Sequence, residues 1–189
     1  GITFDYGPYA FLDDFQSDYI CNHTDQNGRY AFEQQPGVGL WNLNAFAHAF
    51  TDYLTAEEIV AALEQFEPTL QAHFETLMAK RLGLVLNATS NTTSPKLTEQ
   101  INALVFEWLE QLNKERRDYT HIHQQLIQSL SPESSDTLSA HFIDTKWASE
   151  WFEKHRLLSH SIGISITEQL DTMRSCNPIY TLRNHYAQQ

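Results

Sequence analysis

Four sets of side chains in this 189-residue sequence are of types that do chemistry. The first is Asp5, which closes the run Ile2-Thr3-Phe4 and is followed by Tyr6-Gly7-Pro8. β-branched and aromatic residues favour a strand, and Gly-Pro stops it. The carboxylate then stands where a strand hands over to a loop. From there it can face a cleft and bind a hard cation such as Mg²⁺ beside substrate phosphates. The same residues also suit a plain turn with a solvated Asp. The second set is Cys21, His23 and Asp25, which an extended segment would project to one face in a metal-like way. It has one soft ligand and no second cluster to complete four, so bonding to loop backbone is the simpler use. The third is the pair His121 and His123, two apart in a helical stretch. They point to nearly opposite sides and cannot share a metal. The fourth is Arg183, which could clamp a phosphate or carboxylate, or pair within an acidic domain. The sequence holds no nucleophile elbow, phosphate-cradling glycine loop, HExxH or paired-cysteine motif.

The elements that must position these groups are mostly helical. Residues 13 to 40 are rich in Asp, Asn, Gln, Gly and aromatics. They read as a long ordered loop, with a hairpin turning at Asn27-Gly28 and a turn at Pro36-Gly37. From Leu40 the apolar spacing becomes that of helices. Thr55-Ala56-Glu57-Glu58 is a capping box, followed by the stripe Ile59, Leu63, Phe66, Leu70, Phe74 and Leu77. Pro68 should kink or divide that helix, and Gly83 should stop it. Asn87 to Pro95 reads as a polar linker, with Ser94-Pro95 opening the next helix. The cleanest stripe follows: Leu97, Ile101, Leu104, Val105, Trp108, Leu109 and Leu112. Lys114 to Arg117 reads as a solvated turn, and Asp118 as the cap of a helix bearing Tyr119, Ile122, Leu126, Ile127 and Leu130. Trp147, Trp151, Phe152, His155 and Leu158 line another helix. Ser165-Ile166-Thr167-Glu168 is a second capping box, leading to Leu170 and Met173, and Asn177-Pro178 ends that helix. No period of 20 to 50 residues recurs, so one compact bundle is expected rather than a solenoid.

Composition sets the outer limits. Hydrophobic residues make up 41%, enough for a core, and 24 acidic side chains face 12 basic ones, a net charge of −12. That balance disfavours nucleic acid or an anionic membrane as partner. No run reaches the roughly 18 apolar residues of a membrane span, and no signal peptide is visible, so a cytoplasmic location is expected. Cys21 and Cys176 read as two free buried thiols rather than a long-range disulfide. Three Asn-x-Thr sequons, at Asn22, Asn87 and Asn91, carry little weight without a secretory signal. The opening inside an apparent strand gives the look of a piece cut from a longer protein.

The order of short motifs adds a resemblance. Asp5-Tyr6-Gly7-Pro8-Tyr9-Ala10-Phe11-Leu12-Asp13 resembles the DYGPFGF(L/M)D segment of the selenoprotein O family. Cys21-Asn22-His23-Thr24-Asp25, Gly28-Arg29-Tyr30-Ala31-Phe32, Gln35-Pro36 and Gly39-Leu40-Trp41-Asn42-Leu43 follow that family's CNHSD, GRYAF, QP and GLWNL. Asp118-Tyr119-Thr120 looks like its DYT, and Asn177-Pro178 through Tyr180, Leu182, Arg183 and Asn184 like its NPxYxLRN. The matches run nearly end to end. Ala10 departs from the family's Gly, and Ile122 and His123 stand where it often has two aromatics.

The resemblance implies a protein-kinase-like fold that transfers AMP from ATP to protein hydroxyls, with ATP and Mg²⁺ as cofactors and redox proteins as substrates. It implies that Asp5 matches the Asp of the kinase Asp-Phe-Gly motif, which holds the metal bridging the ATP phosphates. The family's glycine-rich segment, nucleotide-binding Lys and Glu, phosphate-binding Arg residues and catalytic-loop Asp and Asn would lie upstream of Gly1. The expectation is therefore a mainly α chain: the C-terminal helical part of a kinase-like fold with a small β element and a long loop at its N-terminus. Residues 1–40 would end the catalytic region, and 41–189 would form a helical bundle. Asp5 is the expected ligand for metal and, through it, ATP phosphates, in a piece inactive alone. A helical protein-interaction module and a degenerate pseudokinase scaffold are the alternatives.

Overall fold

The computed structural model describes residues 10–21, 24–85, 95–132 and 138–183. The strand expected at Ile2–Phe4, Asp5 itself, His23, Ser94 and the three sequon asparagines lie outside them. The described residues form seven α-helices: α1 (Gln35–Ala47), α2 (Ala56–Leu63), α3 (Phe66–Arg81), α4 (Pro95–Glu115), α5 (Tyr119–Leu130), α6 (Thr145–Ile162) and α7 (Ile166–Cys176). Short 3-10 turns cover Phe32–Gln34, His48–Phe50 and Leu138–His141. Pairing of β type among the described residues is confined to one antiparallel bridge, Asp14 to Asp118. The chain is mainly helical, as expected. It divides into two compact units. The first is Gly1–Leu12 with Gln16–Phe74, and the second is Asp13–Phe15 with Glu75–Gln189.

In the first unit, the turn at residues 26–30 is not a hairpin. Gly28 takes φ +68°, and the Asp25 carboxylate accepts from the backbone N–H groups of Arg29 and Tyr30 at 3.0 and 2.7 Å. A side chain, not a paired strand, satisfies this backbone. The Pro36-Gly37 turn is also corrected: α1 begins at Gln35, with the proline in its first turn. There its missing N–H costs nothing. The Thr55–Glu58 capping box is present in both directions. The division expected at Pro68 is seen too, because α2 stops at Leu63 and α3 starts at Phe66. That places Pro68 in the first turn of α3, where it blocks no helical bond. The apolar stripe of α2 and early α3 is not buried: neither α1 nor α2 has a buried residue, and Leu70 is exposed.

The second unit closes a core of its own. Ile101, Leu104, Val105, Trp108 and Leu112 of α4 are buried, as are Ile122, Leu126, Ile127 and Leu130 of α5. Trp108 and Trp151 meet with ring centroids 4.4 Å apart, and the Trp151 indole donates to the Leu104 carbonyl at 3.1 Å. Gly83 follows α3 at φ +69°. A Cβ there would stand 2.6 Å from Gln169 and 2.9 Å from Met173. Both the turn and the close packing of α7 thus require glycine. Ser165 and Glu168 form the second capping box. The turn expected to be solvated at Lys114–Arg117 is only partly so. The Glu115 side chain is 5% exposed, and it accepts from the backbone N–H groups of Ile143 and Asp144 at 2.8 and 2.9 Å. Charge alone marked it for solvent, but two orphan amides of a distant turn needed an acceptor.

Candidate functional site

Three segments far apart in sequence converge in the second unit. The backbone sets the frame. Phe15 N–H donates to the Arg117 carbonyl at 2.8 Å, and Tyr119 N–H donates to the Asp13 carbonyl at 3.0 Å, around the Asp14–Asp118 bridge. The Phe15 and Tyr119 rings stack with centroids 5.5 Å apart. Asp118 caps α5 by accepting from His121 N–H at 2.7 Å. Its other carboxylate oxygen takes Nη1 of Arg183 at 2.5 Å, and the same Nη1 lies 3.5 Å from Asp13. One guanidinium thus separates two carboxylates that would otherwise repel. The hydrogen bond that Arg183 donates to Asp118, followed by the charges of Asp118 and Asp13, raises its already high pKa, while slight burial opposes this. Arg183 is a carboxylate clamp.

Asn177 anchors the far side. Its amide donates to the carbonyls of Arg81 and Met173, both at 2.9 Å, and its side-chain oxygen accepts from Arg81 Nη1 at 3.1 Å. Gln124 donates to the carbonyls of Asn177 and Pro178 at 3.0 and 3.1 Å. The Arg81 guanidinium lies 5.4 Å from the centre of the Tyr119 ring, and the Tyr119 hydroxyl reaches Met78 sulfur at 3.5 Å. Burial pushes the Tyr119 phenol above its ordinary pKa and Cys176 adds to this, against the pull of Arg81. The phenol therefore stays neutral.

The remaining sequence candidates separate. His121 is exposed and His123 is buried, on opposite sides of α5 as their spacing requires. His123 donates from Nδ1 to the Tyr119 carbonyl at 2.6 Å and accepts the Trp108 indole N–H on Nε2 at 3.3 Å. Burial, opposed by that carbonyl and reinforced by Arg81, lowers its pKa to about 4. It fills an aromatic pocket as a neutral ring, edge-on to Trp108 and Tyr119. Asp25 serves its own loop, and Cys21 and Cys176 are half-buried and not joined in a disulfide. Asp5 lies outside the described residues. Among the described residues no group of three or more His, Cys, Asp or Glu is placed to hold a metal. The motifs gave Asp118, Asn177 and Arg183 in advance, but not Asp13 as a partner of Arg183, nor Arg81 and Gln124. No local spacing marks the contact of Arg81 with Asn177 across 96 residues.

Among the described residues, what the convergence can do is hold segments in register. Comparisons with known proteins give the family. The model of the family described as protein adenylyltransferase SelO matches residues 1–189. A protein nucleotidyltransferase YdiU of Pseudoalteromonas atlantica is 47% identical over 189 residues, which is all of this chain and 37% of that protein. The protein of the same name from Pseudomonas paraeruginosa is 39% identical over the same share, and that of Vibrio vulnificus 40% over 195 residues and 38% of its length. The chain thus spans a little over a third of the length of these relatives. No helix among the described residues is long and apolar enough to cross a membrane.

Proposed function

The chain belongs to the protein adenylyltransferase SelO family, and from that membership we propose that it works as the helical C-terminal part of a Mg²⁺-dependent enzyme that moves AMP from ATP to Ser, Thr or Tyr hydroxyls of proteins. The observation that carries this reading is the family match over all 189 residues. Redox proteins in the cytoplasm are the proposed substrates. Asp5 is the proposed ligand of the metal that neutralises the ATP phosphates. A single carboxylate does not make a metal site. On this reading the other ligands and the phosphate clamps would come from further segments of a protein of the relatives' length. Residues 1–40 then end the catalytic region, and 41–189 form its helical support.

The 189 residues alone should not turn over ATP, because transfer of this kind depends on positioning and charge stabilisation at several phosphate oxygens. In the enzyme at the length of its relatives, Asp5→Ala should abolish Mg²⁺-dependent labelling of proteins with AMP. Retained labelling removes Asp5 from the mechanism.

A further inference from the structure

Helices α1 and α2 lie side by side in the first unit, and neither has a buried residue. An open groove of about 930 Å³ is lined by Leu40 and Trp41 of α1, Val60 and Leu63 of α2, and Pro68 of α3. Trp41 is 57% exposed and Val60 52%. Its charged side chains have one sign. Glu64 and Glu67 line it, both exposed, and neither has an ion pair among the described residues. From Gln16 to Phe74 the sequence carries eight Asp and Glu side chains and, of Lys and Arg, Arg29 alone. That guanidinium lies 4.8 Å from the centre of the Trp41 ring, so an aromatic wall of the groove already accepts a cation.

Gly37 adds a steric observation. It sits inside α1 and lines the groove, and a Cβ on it would meet nothing within 4 Å. Glycine weakens a helix relative to alanine. Among the described residues no neighbour calls for it there. A bare backbone facing open space lets another backbone come close.

We propose that this groove docks a basic amphipathic helix of a partner protein. Apolar side chains at i, i+3, i+4 and i+7 of that helix seat against α1 and α2, and its flanking Lys or Arg residues meet Glu64 and Glu67. A second copy of this chain suits the groove less, because the face it brings carries the same acidic excess. Strand addition lacks an edge, since among the described residues the β pairing is confined to Asp14 and Asp118 of the second unit. The inference does not depend on the metal role of Asp5.

The probe is a peptide of about four helical turns, with leucine at those four spacings and lysine elsewhere, beside a matched peptide with glutamate for lysine. Anisotropy of a dye on the peptide reads binding, and circular dichroism reads the helix gained. The lysine peptide should bind this chain with micromolar affinity and gain helix, and the glutamate peptide should not bind. Trp41→Ala should weaken binding about tenfold or more. Glu64→Lys should weaken it about fivefold, and adding Glu67→Lys should bring in the glutamate peptide. Glu150→Lys, an equal change of charge in the second unit, should leave binding unaltered. Gly37→Ala should slow amide exchange along α1 and yet weaken binding several-fold, whereas a glycine with no part in docking would change exchange alone. Equal losses from Glu150→Lys and Glu64→Lys, or full binding by both Trp41→Ala and Gly37→Ala, overturn the groove as the site. Binding without a gain of helix overturns the helical occupant. A dimer of this chain that Val60→Asp abolishes gives the face to a second copy and overturns the partner. In the protein at the relatives' length the lysine peptide should bind as it does here. Binding confined to the 189-residue chain shows the groove covered from within the protein, and overturns the partner as well.

Discussion

The two units of this chain solve the same problem differently. In the second unit, helices α4, α5, α6 and α7 bury their apolar faces on one another and leave Trp108 with no exposed surface. In the first unit, α1 and α2 bury nothing. Trp41 is 57% exposed and Tyr53 84% exposed, and an open groove of about 930 Å³ runs past Leu40, Trp41, Val60, Leu63 and Pro68. Both units have good local helix signals. What separates them is whether an apolar face finds a partner, and most helix stability comes from such packing. Exposed apolar patches of this kind mark surfaces that something covers.

The largest effect expected from that contrast is on stability. Trp108→Ala removes a buried ring packed on Trp151, Phe142 and His123. It should cost about 3–5 kcal/mol. Trp41→Ala removes a ring that keeps a cation contact from Arg29, at 4.8 Å, and is otherwise half open. It should cost less than about 1 kcal/mol. Urea unfolding of the two variants measures both. Equal costs would show that the first unit is packed as tightly as the second, and would end the comparison.

The sequence made the packed unit the more legible of the two. Its stripes on α4 and α5 and its caps at Asp118 and Ser165 are local signals, and they survive because the tertiary contacts agree with them. The stripe of α2 and α3 does mark helix, but most of it stays open. Periodicity reports which residues share a face, not whether anything packs on that face. Asn27-Gly28 and Pro36-Gly37 misled for another reason. Each is a strong turn signal, but an Asp carboxylate three residues before Gly28 and the N-terminal position of Pro36 gave the backbone better partners. Of the clamp, the motifs marked Arg183 and Asp118 separately. That Asp13 belongs with them required the fold, because charge pairing across 170 residues leaves no spacing to read. Glu115 shows the same limit. Burial alone would raise its pKa. The amides of Asp144 and Ile143, with Arg117 and Gln111, bring it below the ordinary value.

The next effect is on pH, and it belongs to the second unit alone. His123 and His155 are fully buried, and both have pKa values lowered to about 4. For His155 the cause is burial, opposed by its bond to the Leu82 carbonyl at 2.7 Å. A folded pKa below the unfolded value of 6.5 means that the unfolded chain takes up protons first. Stability is therefore complete above about pH 6.5 and falls as pH drops toward 4. The loss should approach roughly 3 kcal/mol per histidine. Urea midpoints at pH 7 and pH 4.5 should show it, and His155→Gln should flatten the dependence. A midpoint independent of pH over this range would mean that the rings are hydrated and that the unit is less closed than its geometry implies.

The smallest effect is the sharpest probe of the contrast, because it uses the same device twice. Thr55 with Glu58 and Ser165 with Glu168 are both complete capping boxes. In each, the hydroxyl oxygen accepts the N3 backbone N–H at 3.3 Å. Removing either hydroxyl by Thr55→Ala or Ser165→Ala should weaken its own helix by about 1 kcal/mol. The helices differ in what they are joined to. α7 buries Gln169, Leu170 and Met173, and Gln169 accepts a bond from Ser159 at 3.0 Å. Fraying there loosens the core, so Ser165→Ala should shift the main unfolding midpoint. α2 buries nothing, so Thr55→Ala should raise amide exchange across Ala56–Leu63 and leave that midpoint where it is. A shift of the main midpoint by both variants would show that the two units unfold as one.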